Sequence, residues 1–158
     1  MKLGTKIAAV ILAASATAAL VCAQQPSTNT GIVGTWQVLR HGAKCDTGAR
    51  LSPDFHVLMS FNQGGTLTGY GIAPGSGPFD GPEFGNWVKT GDRAYRLREV
   101  NYNYDDNGTF TGRAEITVMV RLDADADSLT ANSTVDVFDA NGNFLFSFCG
   151  KWSGKRFE

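Results

Sequence analysis

The sequence predicts an all-β chain folded as an eight-stranded antiparallel up-and-down barrel, with a β-sandwich as the alternative. Three observations predict it. Turn-forming clusters recur between Gly31 and Phe157, at Asn62-Gln63-Gly64-Gly65, Thr90-Gly91-Asp92, Asp105-Asp106-Asn107-Gly108, Asp123 to Asp127 and Asp139-Ala140-Asn141-Gly142-Asn143. The segments between them are roughly 7 to 15 residues long and alternate apolar with polar side chains, as in consecutive hairpins. No convincing helical pattern follows the first 23 residues. Consecutive hairpins close a barrel without the long crossover of a Greek key, which favours the barrel over the sandwich.

Met1 to Ala23 reads as an export signal: Lys2 and Lys6 make a basic start, Ile7 to Val21 is apolar and alanine-rich, and Val21-Cys22-Ala23 ends in a small residue. Cleavage after Ala23 is expected, giving a secreted or periplasmic protein. The stretch is shorter than the ~20 apolar residues of a membrane-spanning helix. Cys22 offers a second route, lipid attachment, and a membrane is an expected partner only by that route. Residues 24–30 are polar and read as a disordered leader, and residues 31–158 form one barrel domain.

The strands follow in order. Val33 to His41 is the first, and Gly42 to Asp54, with Cys45, two glycines and Pro53, is a loop. The second strand sets Phe55, Val57, Met59 and Phe61 on one face, opposite His56, Ser60 and Asn62. Thr66 to Ile72 returns, with Gly69 and Gly71 marking a bend or a close approach to backbone. Ala73 to Glu83 carries three prolines and three glycines and is a stiff loop, expected as rim or lid. Phe84 to Lys89, Arg93 to Tyr104, Thr109 to Leu122, Leu129 to Phe138 and Phe144 to Phe157 complete the set. The cleanest alternation sets Ala114, Ile116, Val118, Val120 and Leu122 against Arg113, Glu115, Thr117, Met119 and Arg121. The last strand groups Phe144, Phe146, Phe148 and Trp152, leaving Cys149, Lys151 and Lys155 opposite.

Charge and cysteines bound the partners. Two of the 14 basic residues leave with the signal while all 15 acidic ones stay, so the mature formal charge is −3. With no basic patch, nucleic acid is not an expected partner. Cys45 and Cys149 remain after cleavage, and an even pair in an exported chain reads as a disulfide. His41 and His56 are too few and too isolated to suggest zinc. Asp123, Asp125 and Asp127 alternate as in a calcium loop, but Ser128 and Thr134 stand where a glycine and a glutamate are required, so an acidic hairpin is the better reading. No metal and no cofactor is expected.

Gly34-Thr35-Trp36 on the first strand of an exported eight-stranded chain resembles the calycin superfamily, the lipocalins and their relatives. That resemblance implies that Trp36 closes the barrel floor with Arg156 packed across it, Lys155 being the fallback. Gly85-Asn86-Trp87, Gly91 and Tyr95 resemble a pattern of short bacterial lipocalin-like domains. Gly31 to Trp36 with Gly65 to Tyr70 is similar to the opening of avidins, although the paired tryptophans of their biotin site have no counterpart. Together these matches cover most of Gly31 to Phe157.

The expected function is binding of a small apolar or aromatic molecule, because Phe79, Phe84, Trp87, Tyr95, Tyr102 and Tyr104 cluster mid-chain and aromatic walls suit such ligands. Candidate lining residues are Phe55, Val57, Met59, Phe61, Tyr70, Phe79, Trp87, Tyr95, Phe146 and Phe148. Two other classes stay open. A barrel enzyme of cyclase or hydrolase type would draw on Glu99, Glu115, Asp136, His56 or Tyr70, yet no catalytic pattern stands out and no catalytic residue is assigned. An inhibitor or adhesion module would use the outer surface.

Overall fold

The computed structural model describes residues 31–72 and 81–157. The expected export signal with Cys22, the expected leader and residues 73–80, including Phe79, lie outside the described residues.

Eight strands run in sequence order: β1 (Gly34–Ala43), β2 (Phe55–Phe61), β3 (Thr66–Gly71), β4 (Glu83–Gly91), β5 (Ala94–Tyr104), β6 (Phe110–Leu122), β7 (Ser128–Asp139) and β8 (Phe144–Arg156). Each pairs antiparallel with its neighbour, and β1 closes the barrel on β8 from Trp36↔Arg156 to Ala43↔Cys149. This closure excludes the sandwich, whose two sheets would leave β1 and β8 unpaired at edges. β4 begins at Glu83, one residue ahead of the expected Phe84, which moves Glu83 from the proline-rich loop into the sheet.

Alternation sets the inside. Trp36 and Val38 on β1, Val57, Met59 and Phe61 on β2, Leu67 on β3, Tyr95 and Leu97 on β5, and Ile116, Val118, Val120 and Leu122 on β6 are all buried, while Leu58 and Met119, out of phase, are exposed. Phe144 departs from its expected face. A register shift opposite Val137/Phe138 places Leu145 as an extra residue, so Phe144 is exposed and packs edge-on against Phe138 at 5.9 Å.

The hairpins at one end of the barrel share a device. Asp105 Oδ1 accepts the backbone N–H groups of Asn107 and Thr109, and Asp139 Oδ1 accepts those of Asn141 and Asn143. Each aspartate thereby satisfies the donors of its own turn, which explains why these acidic residues recur at the hairpins. The Asp123 to Asp127 segment is likewise a turn: Asp125 Oδ1 accepts the Asp127 N–H, and Asp127 pairs with Arg156 at 3.2 Å.

Cys45, in the loop after β1, and Cys149, on β8, are joined as a disulfide with their Cα atoms 4.9 Å apart, closing a sequence separation of 104 residues. Chain-entropy reasoning gives a covalent closure of that length a stabilisation of about 4–5 kcal/mol before any native strain is subtracted. Intact-mass analysis should therefore find no alkylatable thiol between these two residues before reduction, and reduction should lower the urea midpoint accordingly. Two free thiols in the unreduced protein would contradict the pairing.

Candidate ligand-binding site

The barrel interior divides into a filled half and an open half. At the closed end Ile32, Trp36, Met59, Phe61, Leu67, Leu97, Leu122 and Leu129 pack the lumen. Trp36 is wholly buried, its Nε1–H donates to the Ile32 carbonyl at 2.8 Å, and Arg156 Cζ stands 4.4 Å from its ring centroid. The Arg156 guanidinium also donates to the carbonyls of Gly31, Val33 and Ala126, each at 2.8 Å. One side chain thus ties the start of the domain and the β6–β7 turn to the end of β8. Trp87 belongs to this end as well: its indole N–H reaches the carbonyls of Asn62 and Thr66, and its ring meets Tyr95 edge-on at 5.7 Å.

Toward the other end the inward positions become small. Gly42, Gly71, Ala114 and Gly150 contribute little or no side chain, and a cavity of about 440 Å³ opens there. Phe55, Ile116, Val135, Val137, Phe146, Phe148 and Trp152 make its walls apolar. A volume of this order suits one small molecule.

Its floor is polar. Arg40, 4% exposed, follows Trp36 and Val38 in phase along β1, and its guanidinium lies 3.5 Å from the Trp152 ring centroid. Arg40 Nη1 donates to Glu83 Oε1 at 2.7 Å, and Nη2 donates to Met59 Sδ at 2.9 Å and lies 3.5 Å from Glu99 Oε2. Glu83 fits because β3 places Gly69 opposite it: a Cβ at Gly69 would stand 2.7 Å from Glu83 Oε2. Glu83 and Glu99 are 6% and 4% exposed, so two carboxyl groups share one buried guanidinium. Burial pushes the Glu99 carboxyl up to about 8, against the pull of Arg40 and with further upward pressure from Glu83. Burial thus favours the protonated form of Glu99. Glu83 Oε2, both Glu99 oxygens, Asn101 Oδ1 and Arg40 Nε accept or donate no ordinary hydrogen bond within the described protein.

Of the residues nominated from the sequence, Phe55, Phe146 and Phe148 line the cavity. Val57, Met59, Phe61 and Tyr95 are buried, in the packed interior rather than on the cavity wall, and Trp87 sits with Tyr95. Tyr70 is 55% exposed on the outer face of β3, paired with Leu58. Of the ionisable groups considered for catalysis, Glu99 points inward, whereas His56 is exposed and Glu115 pairs with Arg113 at 2.8 Å. Asp136 accepts a hydrogen bond from Ser147. Sequence reading missed Arg40 and Glu83. The signal was present as phase: Arg40 continues Trp36 and Val38, and Glu99 continues Tyr95 and Leu97, at a period of two. A charged residue in phase with a buried face marks a polar site inside a barrel.

Among the described residues no group of three or more His, Cys, Asp or Glu side chains is placed to hold a metal ion. No protein-family model matches the chain, and no curated protein matches it either.

Proposed function

We propose that this protein is an exported, lipocalin-like barrel that binds a small apolar or aromatic molecule through its open end. The observation that carries this reading is the half-filled lumen, an apolar-walled cavity of about 440 Å³ above a packed floor. Ala114 is the wall position where a larger side chain would fill this space, whereas Gly71 and Gly150 are small because a Cβ at either would stand 2.5 Å from the His56 carbonyl or Ser133 Oγ. The Gly34-Thr35-Trp36 strand with Arg156 across the ring supports kinship with the calycins, and the Cys45–Cys149 disulfide is compatible with an oxidising extracellular or periplasmic location.

Native mass spectrometry of protein purified from its own source should reveal a retained small molecule, and readdition of that molecule should raise the melting temperature. Ala114→Phe, which fills the cavity from β6, should remove both effects. A wild-type protein that carries no molecule and gains no thermal stability from any member of an apolar and aromatic compound panel would overturn the reading.

A second reading rests on a specific observation as well. Arg40 and Glu83 line the cavity as an ion pair at 2.7 Å, with the buried Glu99 carboxyl beside Arg40, polar groups that suit a barrel enzyme of cyclase or hydrolase type. Recovery of the bound molecule unchanged after prolonged incubation favours the binder, and recovery of an altered product favours the enzyme.

A further inference from the structure

The floor is unbalanced toward acceptors. Two carboxyl groups face one guanidinium, and the atoms without an ordinary hydrogen bond are four oxygens, on Glu83, Glu99 and Asn101, against the single nitrogen Arg40 Nε. With both carboxylates ionised the cluster carries one net negative charge in a buried place, which only a proton or another cation offsets. Arg40 is already committed, clamped between Glu83, Met59 and the face of Trp152. A carboxylate head would meet two acidic groups and one spare donor. A neutral alcohol would supply one donor and leave the charge count unchanged. A primary ammonium group supplies three donors and one positive charge, the number the cluster lacks.

We propose that the occupant of the cavity is an amphipathic primary amine, with an aromatic or aliphatic body among the apolar walls and an ammonium group on the floor at Glu83 and Asn101. This rests on the reading of the barrel as a small-molecule binder and names the chemistry of its ligand. In the free protein the Glu99 proton stands in for the missing cation, as a donor beside the Glu83 carboxylate. When the ammonium arrives, Glu99 ionises and its proton passes to solvent, so binding exchanges one cation for another. The charged groups facing Glu99 are Arg40 from β1 and Glu83 from β4; its cross-strand partners Gly85 and Ile116 carry none. His41 and Tyr104 are the other titratable side chains on the cavity wall, and His41 is held 3.0 Å from Asp54.

Calorimetric titration of the intact protein with three probes sharing one body, 2-phenylethylamine, 2-phenylethanol and 3-phenylpropanoate, tests this. The amine should bind tightest. Its Kd should fall by up to about tenfold per pH unit from about pH 6 to 7.5, because Glu99 must lose a proton that it holds below about 8. Titrations in buffers of different ionisation enthalpy should show close to one proton released per amine bound. Glu99→Gln, an isosteric copy of the protonated state, should keep the fold, weaken the amine by about tenfold at pH 7.5, change the alcohol by less than about twofold and flatten the pH dependence. Equal or tighter binding of the alcohol or the carboxylate, or a pH slope that survives in Glu99→Gln, would overturn the amine head while leaving the cavity reading in place. Failure of all three probes to bind, in a protein that still takes up other apolar molecules, overturns the amine proposal alone. Failure of every apolar molecule as well overturns both.

Discussion

Arg40→Met should lower the stability of the fold by about 3–5 kcal/mol at pH 8, read from urea denaturation, because it strands two buried carboxyl groups without the cation they share. The loss should shrink as pH falls below about 8, where Glu99 takes up a proton and loses its stranded charge. In the wild type the sign follows from Glu99, whose folded value of about 8 lies above its ordinary 4.5. The unfolded chain gives up this proton first. The stabilisation present below about 4.5 is therefore lost progressively as pH rises to about 8. Glu99→Gln should remove that decline. Asp54, Asp105 and Asp139 act in the opposite direction, held below the usual carboxylate range by the Arg50 side chain, the Thr109 backbone N–H and the Asn143 side chain respectively. All three lie at the surface, so their effect is confined to acid pH and is small. An Arg40→Met variant as stable as wild type at pH 8 would show that the buried carboxyl groups do not depend on the Arg40 cation, contrary to the ion-pair geometry.

Trp36→Ala should cost about 3–5 kcal/mol, the range for deleting a large aromatic from a core that has no room to collapse. Three separate features set the size of the effect. The ring is wholly buried, its indole N–H satisfies the Ile32 carbonyl, and its face supports the Arg156 guanidinium. Removing it leaves the Ile32 carbonyl without that donor and opens the closed end of the lumen, while Arg156 keeps its hydrogen bonds to the carbonyls of Gly31, Val33 and Ala126. Thermal denaturation is the measurement. A loss below about 1 kcal/mol would mean that the closed end repacks freely, and the barrel would then owe little to its Trp36 floor.

All eight strands were legible because period-two alternation and turn chemistry are local. Asp139-Ala140-Asn141-Gly142 announces its hairpin through an aspartate that accepts the backbone donors of its own turn, and Ile116, Val118, Val120 and Leu122 announce a buried face through spacing alone. The disulfide was legible too, since reading Met1 to Ala23 as a removable signal leaves an even cysteine pair with one partner for each. Errors came where a second element decided the outcome. Glu83 looked like loop because prolines precede it, yet Gly69 across the ladder makes space for its carboxyl group and draws it into β4. Phe144 looked inward by parity, and a register shift against β7 turned it out. Tyr70 and Trp87 were nominated by composition, which does not distinguish a pocket wall from an outer face or a packed turn.

What the sequence determined by itself was the order, direction and inward face of the strands, because each of those depends on residues within a few positions of one another. What only the tertiary structure decided was the site. Whether the lumen is filled or open depends on the sum of inward volumes from all eight strands at one height, with Gly42, Gly71, Ala114 and Gly150 meeting at the open end and Trp36, Met59 and Leu97 at the closed one. The charged floor arises in the same way. Arg40, Glu83 and Glu99 are each separated by at least 16 residues in sequence, and closure of the barrel brings them within hydrogen-bonding and ion-pair distance of one guanidinium. Burial, a property of the assembled barrel, then makes their charge balance strict.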